Sequence, residues 1–163
     1  MQGIAVRLER LLEAQEVEYE TVYHPKDYTA MKAAADTHTP PEEFAKSVIL
    51  KVDGKLVMAV LPASETVALK RVREALEAGE VEVAHEEELK GVCPDSQLGA
   101  WPPFGSLYEL PVYVSPSLAE DEEITFNAGS HDHAIRVRYA DYARLESPAV
   151  IPLCRHDSDE SKK

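Results

Sequence analysis

The sequence contains few cysteines and no long hydrophobic segment. Its two cysteines, Cys93 and Cys154, are too few for a disulfide framework and lack the spacing of metal ligands, so either one fits a small buried position. No apolar run approaches the roughly 20 residues of a membrane-spanning helix. Charged residues in the first ten positions are also unlike the apolar segment of a signal peptide. We therefore expect a cytoplasmic protein that does not bind a membrane.

Basic residues are scarce as well. The chain has 17 lysines and arginines against 30 aspartates and glutamates, which gives a formal net charge of -13. This balance counts against a broad basic surface for nucleic acid. It leaves room for an enzyme that grips only the end of a nucleic acid, because such an enzyme needs few phosphate contacts. Cations available for that purpose cluster in an acid-poor middle region: Lys46, Lys51, Lys55, Lys70, Arg71 and Arg73.

Several catalytic motifs are missing. The sequence has no Gly-x-Ser-x-Gly elbow, no His-Glu-x-x-His helix and no phosphate-binding Gly-x-x-x-x-Gly-Lys-Ser/Thr loop, which argues against the large enzyme classes that use them. His131, Asp132 and His133 are metal-ligand types, but on a strand Asp132 would point away from the two histidines. No further His or Cys pair completes a ligand shell at a recognisable spacing. We expect neither a metal nor a cofactor.

The order of predicted elements mixes hairpins with helices. Apolar residues at helical spacing predict helices over residues 4–14, 29–37, 64–78, 85–90 and 141–145. Strands are predicted over residues 17–23, 47–52, 55–61, 81–84, 110–115, 123–127 and 134–139. The two strands that flank Asp53-Gly54 form the clearest hairpin, and they are apolar enough to lie inside a sheet covered on both faces. This order predicts an α+β (mixed α/β) domain with a central, largely antiparallel sheet flanked by helices. Residues 1–150 form the predicted domain, and residues 151–163 form a polar, disordered tail.

Three stretches are candidates for chemistry. The segment Gly99-Ala-Trp-Pro-Pro-Phe-Gly105 combines glycine, which permits positive φ, with proline, which fixes φ. Such a rigid loop either presents amides to a developing oxyanion or is a surface loop with an aromatic plug. Lys46 precedes a buried strand, where it either enters a cleft or extends its charge to solvent from the sheet rim. His24-Pro25 ends another strand, a place where a lone histidine is more often structural.

With these residues assembled, the chain resembles the YbaK/prolyl-tRNA synthetase-associated domain family of aminoacyl-tRNA editing deacylases over about residues 4–145. The resemblance rests on five motifs: His24-Pro25, Ala45-Lys46-Ser47 ahead of the Asp53-Gly54 turn, Val60-Leu61-Pro62, Gly99-x-x-x-Pro103-Phe104-Gly105, and Phe126-Asn127-Ala128-Gly129-Ser130-His131. It implies a single editing domain that acts in trans. The reaction it implies is hydrolysis of the ester between a small mischarged amino acid and the terminal ribose of a tRNA.

The resemblance also implies the partners and the site. The partners are the 3′ acceptor end of an aminoacyl-tRNA and a cognate aminoacyl-tRNA synthetase. In the family the conserved lysine, here Lys46, is needed for activity, and the glycine loop lines the same pocket. The implied catalytic residues are Lys46, Gly99, Gly105 and Gly129. The implied substrate-binding residues are His24, Tyr28, Met31, Leu50, Trp101, Pro103, Phe104, Ser130 and His131, of which Tyr28, Met31, Leu50 and Trp101 are expected to form pocket walls.

Two other hypotheses stay open at this point. One is a ligand- or partner-binding module that keeps the fold without turnover. It fits the acidic net charge, and it fits the turn Gly129-Ser130-His131-Asp132, where many relatives carry basic residues. A metal-dependent hydrolase that uses His131 and His133 is the third hypothesis. Trp101 itself has two possible roles, because it either closes the pocket over the amino acid or stacks on the terminal adenine.

Overall fold

A computed structural model describes residues 3–92, 94, 96–97 and 99–155 of the chain. The predictions for Cys93 and for residues 156–163 lie outside these ranges. In chain order the described strands are β1 (Tyr19–Tyr23), β2 (Ala45–Val52), β3 (Lys55–Pro62), β4 (Thr66–Val67), β5 (Val81–Val83), β6 (Val112–Val114), β7 (Glu123–Ser130), β8 (His133–Arg138), β9 (Ala149–Val150) and β10 (Cys154–Arg155). The helices are α1 (Ile4–Ala14), α2 (Ala30–Asp36), α3 (Leu69–Ala75), α4 (Glu86–Val92), α5 (Pro116–Ala119) and α6 (Tyr139–Glu146), with a 3₁₀-helix over Gly105–Tyr108.

The strands form two main sheets rather than one central sheet. The larger has the order β5-β2-β3-β6-β9, in which β5, β2 and β3 are antiparallel while β6 and β9 run parallel to β3. The smaller is the antiparallel sheet β1-β8-β7. A parallel bridge between Phe44 and Thr125 joins the start of β2 to β7. The α+β class is therefore confirmed, with a mixed sheet and an antiparallel sheet side by side.

The β2–β3 hairpin forms as predicted and is covered on both faces. Asp53 and Gly54 both have positive φ, at 47° and 85°, which is the requirement of a type I′ turn. One face of the hairpin contributes Ile49 and Met58 to the main core, against which α1 packs. The other face contributes residues such as Leu50 to a second apolar cluster under α3. The near-continuous apolar sequence of the hairpin follows from this double burial.

The helix predicted over residues 64–78 is shorter than expected. Thr66 and Val67 instead form β4, which pairs antiparallel with β10, and α3 begins at Leu69. Glu65, predicted in the first helical turn, is buried and accepts a hydrogen bond from Ser117 Oγ at 3.3 Å. Tertiary pairing therefore overrides the helical propensity of this segment. The helix also ends before Gly79, because Glu77 adopts the left-handed conformation (φ 51°).

Two boundaries near the end of the chain also differ from prediction. The pattern break at residues 127–130 is a register shift within β7, which continues to Ser130. The domain extends beyond residue 150, because Leu153 is completely buried and Cys154 pairs with Val67. Among the described residues, no helix is long and apolar enough to span a membrane.

Candidate active site

A small cleft opens where four segments meet. These segments are the start of β2, the loop that leads into α2, the loop that follows α4, and the end of β7 with its turn. Its lining residues are Asp27, Tyr28, Thr29, Ala30, Phe44, Ala45, Lys46, Ser47, Gly99, Trp101, Asn127 and His131. The Phe44–Thr125 bridge between the two sheets positions two of these segments next to each other.

A buried hydrogen-bond network fixes one wall of the cleft. The Nε2 atom of His24 lies 3.1 Å from Asn127 Oδ1, and its Nδ1 lies 2.8 Å from the Pro25 carbonyl and 3.2 Å from Asp27 Oδ2. All three side chains are buried. His24 does not line the cleft itself; it holds Asp27 and Asn127, which do. This placement makes His24 a positioning residue, which is the structural role that a lone histidine at a strand end most often has.

Lys46 lies at the sheet end of the cleft and is half-buried. Its Nζ donates to the Ala63 carbonyl at 3.4 Å, the long end of the hydrogen-bond range. Burial lowers the pKa of the Lys46 ammonium, an effect that nearby Cys154 and Glu65 oppose. The Lys46 side chain is on the face of β2 that also carries Val48 and Leu50. Its positive charge therefore acts both on the cleft and on Glu65. A partly desolvated cation of this kind acts more strongly on a neighbouring anion than one in bulk water.

Two buried polar groups on residues of the cleft wall lack partners among the described residues. Ser47 Oγ and Trp101 Nε1 are both buried and make no hydrogen bond there. A buried hydroxyl or N–H without a partner costs free energy, and both of these belong to residues of the cleft wall. For a polar ligand, the Trp101 indole N–H is a hydrogen-bond donor, and the Ser47 hydroxyl can either donate or accept.

Five of the predicted site residues come together in the cleft: Tyr28, Lys46, Gly99, Trp101 and His131. Gly99 has φ +83°, a conformation that L side chains rarely adopt, which explains the glycine in this loop. Trp101 is 7% exposed and belongs to the main core. With 7% of its surface exposed, Trp101 offers little open area for stacking on an adenine.

Gly105 and Gly129 do not line the cleft, contrary to expectation. A Cβ on Gly105 would overlap the Leu110 carbonyl and the Val112 side chain. Gly129 has φ +103°, and a Cβ there would overlap the side chain of Ile4 in α1. Both positions therefore require glycine for packing. They support the fold around the cleft rather than contact its contents.

The other predicted binding residues also lie outside the cleft. Leu50 does not line the cleft, because it lies four residues further along β2 than Lys46 and is buried in the second cluster. Met31 is half exposed on α2. Three more have structural contacts of their own: the Pro103 carbonyl accepts from Tyr142 Oη, Phe104 packs between Phe126 and Tyr142, and Ser130 Oγ donates to Asp132.

Sequence reasoning did not name seven of the lining residues as site residues: Asp27, Thr29, Ala30, Phe44, Ala45, Ser47 and Asn127. A signal existed for three of them, because Ala45, Ser47 and Asn127 stand inside the motifs that carry the family resemblance. The other four come from the loop that leads into α2, from the first residue of α2 and from the residue before β2. Their approach depends on how the two sheets meet, which no local pattern encodes.

Cys154 and the two histidines of the His131-Asp132-His133 motif each have surroundings of their own. Burial raises the pKa of the Cys154 thiol to about 12, so Cys154 is a protonated, buried thiol at neutral pH. The His131 ring lies against Tyr28, whereas the His133 ring stacks on Tyr23. Within the described ranges, no three His, Cys, Asp or Glu side chains are grouped as metal ligands.

The comparisons with known proteins agree on one family. The profile of the aminoacyl-tRNA editing domain matches residues 24–145. The multifunctional Ser/Thr-tRNA deacylase ProXp-y of Escherichia coli K12 is 29% identical over 157 residues, which cover 91% of this chain and 92% of that protein. The proline--tRNA ligase of Geobacillus thermodenitrificans is 30% identical over 105 residues, 63% of this chain but 18% of the ligase.

A crystal structure described as a candidate trans-editing enzyme for prolyl tRNA synthetase has the same fold. It superposes with a TM-score of 0.81 at 19% identity and covers 95% of this chain and 99% of its own. The family profile includes His24, Lys46, the Gly99–Gly105 loop and Asn127, and so spans the whole cleft. The chain belongs to the aminoacyl-tRNA editing domain family.

Proposed function

We propose that the protein is an aminoacyl-tRNA deacylase that acts in trans and removes a small, hydroxyl-bearing amino acid from mischarged tRNA. The observation that carries this proposal is the cleft, in which a partly desolvated Lys46 and two unpartnered polar groups lie on a domain of the editing family.

The reaction is hydrolysis of a carboxylic ester. Water adds to the carbonyl carbon, the ester C–O bond breaks, and the ribose oxygen leaves with a proton that water supplied. The products are a free amino acid and a tRNA with a free 3′-terminal ribose. Negative charge develops on the carbonyl oxygen during the addition, and we assign Lys46 to stabilise it. The vicinal ribose hydroxyl of the substrate is our proposed group for positioning or activating the water.

The side-chain preference follows from the polar groups in the cleft wall. Ser47 Oγ and Trp101 Nε1 would gain partners from a side-chain hydroxyl, and a methyl group in the same place would leave them unpaired. Sites that hydrogen-bond a substrate hydroxyl discriminate strongly against analogues that lack it. The resemblance to a Ser/Thr-tRNA deacylase fits this preference. Serine and threonine esters are therefore the proposed substrates.

The proposal places the protein in the cytoplasm, where it would meet the 3′ end of charged tRNA and a cognate synthetase. The acidic net charge of -13 implies that phosphate contacts contribute little affinity. Recognition then depends on the terminal nucleotides and the ester itself.

A deacylation panel tests the proposal. Micromolar wild-type protein is incubated with tRNAs that carry serine, threonine, alanine or leucine, and the intact ester is measured over time. We expect rapid loss of the serine or threonine esters and little loss of the leucine ester. If all four esters stay intact while one of the charged tRNAs binds, the protein is a binding module and the proposed activity is wrong.

A further inference from the structure

Two tyrosines next to the cleft are unusually exposed. Tyr23 and Tyr28 are each 75% exposed, yet each ring is held against a histidine. The Tyr23 and His133 rings stack with centroids 4.9 Å apart and an interplanar angle of 17°. The Tyr28 and His131 rings lie 4.9 Å apart with a tilt of 50°. In each pair the tyrosine ring is therefore open to solvent on one side and packs against the histidine ring on the other.

The two pairs lie along one continuous edge. His24 N–H donates to the Asp132 carbonyl and Asp27 N–H donates to the His131 carbonyl, both at 3.0 Å, so residues 23–28 follow the turn between β7 and β8. Only Asp132 separates the paired histidines along the chain, which limits their Cα atoms to about 7 Å apart. Tyr28 and His131 also line the cleft. The Tyr28–His131 pair therefore adjoins the proposed ester site, and the Tyr23–His133 pair follows it along the same turn.

The charge along this edge differs from that of the protein as a whole. Residues 23–36 contain two exposed lysines, Lys26 and Lys32, and two carboxylates. Asp27 is 2% exposed, whereas Asp36 is exposed and interacts with Asp27 and Lys32. Two acids of the packed elements also lie near this stretch: Asp132, held by Ser130 Oγ, and Glu9, whose carboxylate is 4.0 Å from His133 Nε2. In a chain of net charge -13, this stretch presents two exposed tyrosines and two exposed lysines with one exposed carboxylate of its own.

We propose that the Tyr23–His133 and Tyr28–His131 pairs form a stacking platform for the unpaired nucleobases at the 3′ end of the tRNA, with Lys26 and Lys32 beside its phosphates. This inference rests on the proposed function, since it assigns the substrate's binding surface. Unpaired bases are recognised by stacking on aromatic side chains, and every base offers a face for it. The stacking contacts would add affinity to the few phosphate contacts that Lys26 and Lys32 can make.

The first test measures binding alone, so it does not depend on catalysis. The probe is a labelled, four-nucleotide RNA with the sequence of the tRNA 3′ end, and its Kd is measured by anisotropy for Tyr23→Ala, Tyr23→Phe, Tyr28→Ala and Tyr28→Phe. Val83→Ala, which shortens an exposed apolar side chain on β5, is the control. We expect each alanine variant to weaken binding at least fivefold, the low end for loss of one stacking contact. The phenylalanine variants, which keep the ring, should stay within twofold of wild type.

The second test separates the platform from the ester site. It compares kcat/KM for aminoacyl-tRNA with kcat/KM for the matching aminoacyl-adenosine, and the platform predicts that this ratio falls at least fivefold in Tyr23→Ala. An active enzyme whose ratio and RNA affinity do not change in either alanine variant overturns the platform but leaves the proposed function standing. The platform is also overturned if the wild-type protein does not bind the RNA. The same holds if these residues bind a synthetase and no RNA.

Discussion

Ser47→Ala tests whether the Ser47 hydroxyl binds a ligand or supports the fold, because the two roles predict opposite effects on the free energy of unfolding. Ser47 Oγ is buried and has no partner among the described residues. An unsatisfied buried polar group costs about 1–3 kcal/mol. Removing it at the edge of an open cleft creates little new cavity. We therefore expect the free energy of unfolding of the variant to be unchanged or up to about 1–2 kcal/mol higher, measured by urea denaturation.

Activity should change in the opposite direction. If Ser47 Oγ pairs with the hydroxyl of a bound serine, its loss removes about 0.5–1.5 kcal/mol of interaction, or about 2- to 13-fold in kcat/KM for seryl-tRNA. Alanyl-tRNA is the matched control substrate, since its side chain lacks the hydroxyl, and its kcat/KM should change less. A variant destabilised by more than 1 kcal/mol, with equal losses on both substrates, would refute the reasoning because the hydroxyl would then be structural.

Two further predictions concern the folded state. Burial, followed by Glu43, Glu42 and Glu120, raises the pKa of Asp121 to about 6. The fold is therefore stabilised by a protonated Asp121 below pH 4 and loses that contribution as the pH rises through 6. In urea unfolding at pH 7, Asp121→Asn should be about 1–2 kcal/mol more stable than wild type, a figure already reduced for the partial exposure of Asp121. Near pH 4 the two proteins should be equally stable. A stability difference of the same size at both pH values would contradict this assignment. Gly129→Ala should lose at least about 2 kcal/mol, because it combines positive φ with overlap on Ile4. Gly99→Ala should lose only about 1 kcal/mol in the same denaturation assay, because the nearest described neighbour of a Cβ there is His131 Cε1 at 3.7 Å. Equal losses in the two variants would show that packing is not the reason for glycine at position 129.

Local sequence patterns predict the elements whose structure depends on near neighbours. The α1 helix, the Thr29 cap of α2 and the hairpin at Asp53-Gly54 all form where the sequence places them. Each depends on interactions within a few residues, such as helical apolar spacing or a turn that needs positive φ. The motif around Lys46 likewise locates one wall of the cleft.

Elements that depend on distant partners were missed. Thr66 and Val67 become a strand because β10 pairs with them, and Leu153 is buried by the same contact. Leu50 shares a strand face with Lys46, but the cleft lies only at the start of β2 and Leu50 is buried further along the strand in the second cluster. Gly105 and Gly129 were grouped with the site because they are glycines in motifs, whereas their surroundings show that packing requires them.

The most direct measurement of the central claim is deacylation of seryl- and threonyl-tRNA by Lys46→Ala. Lys51→Ala is the matched control: it removes the same side chain from the same strand, where Lys51 pairs with Glu88 at 3.1 Å. We predict that Lys46→Ala loses at least 100-fold in kcat, as expected when one oxyanion-stabilising group is removed. It should unfold at the same urea concentration as wild type, and Lys51→Ala should keep its activity within twofold. A folded Lys46→Ala that retains more than a tenth of wild-type activity would contradict the account.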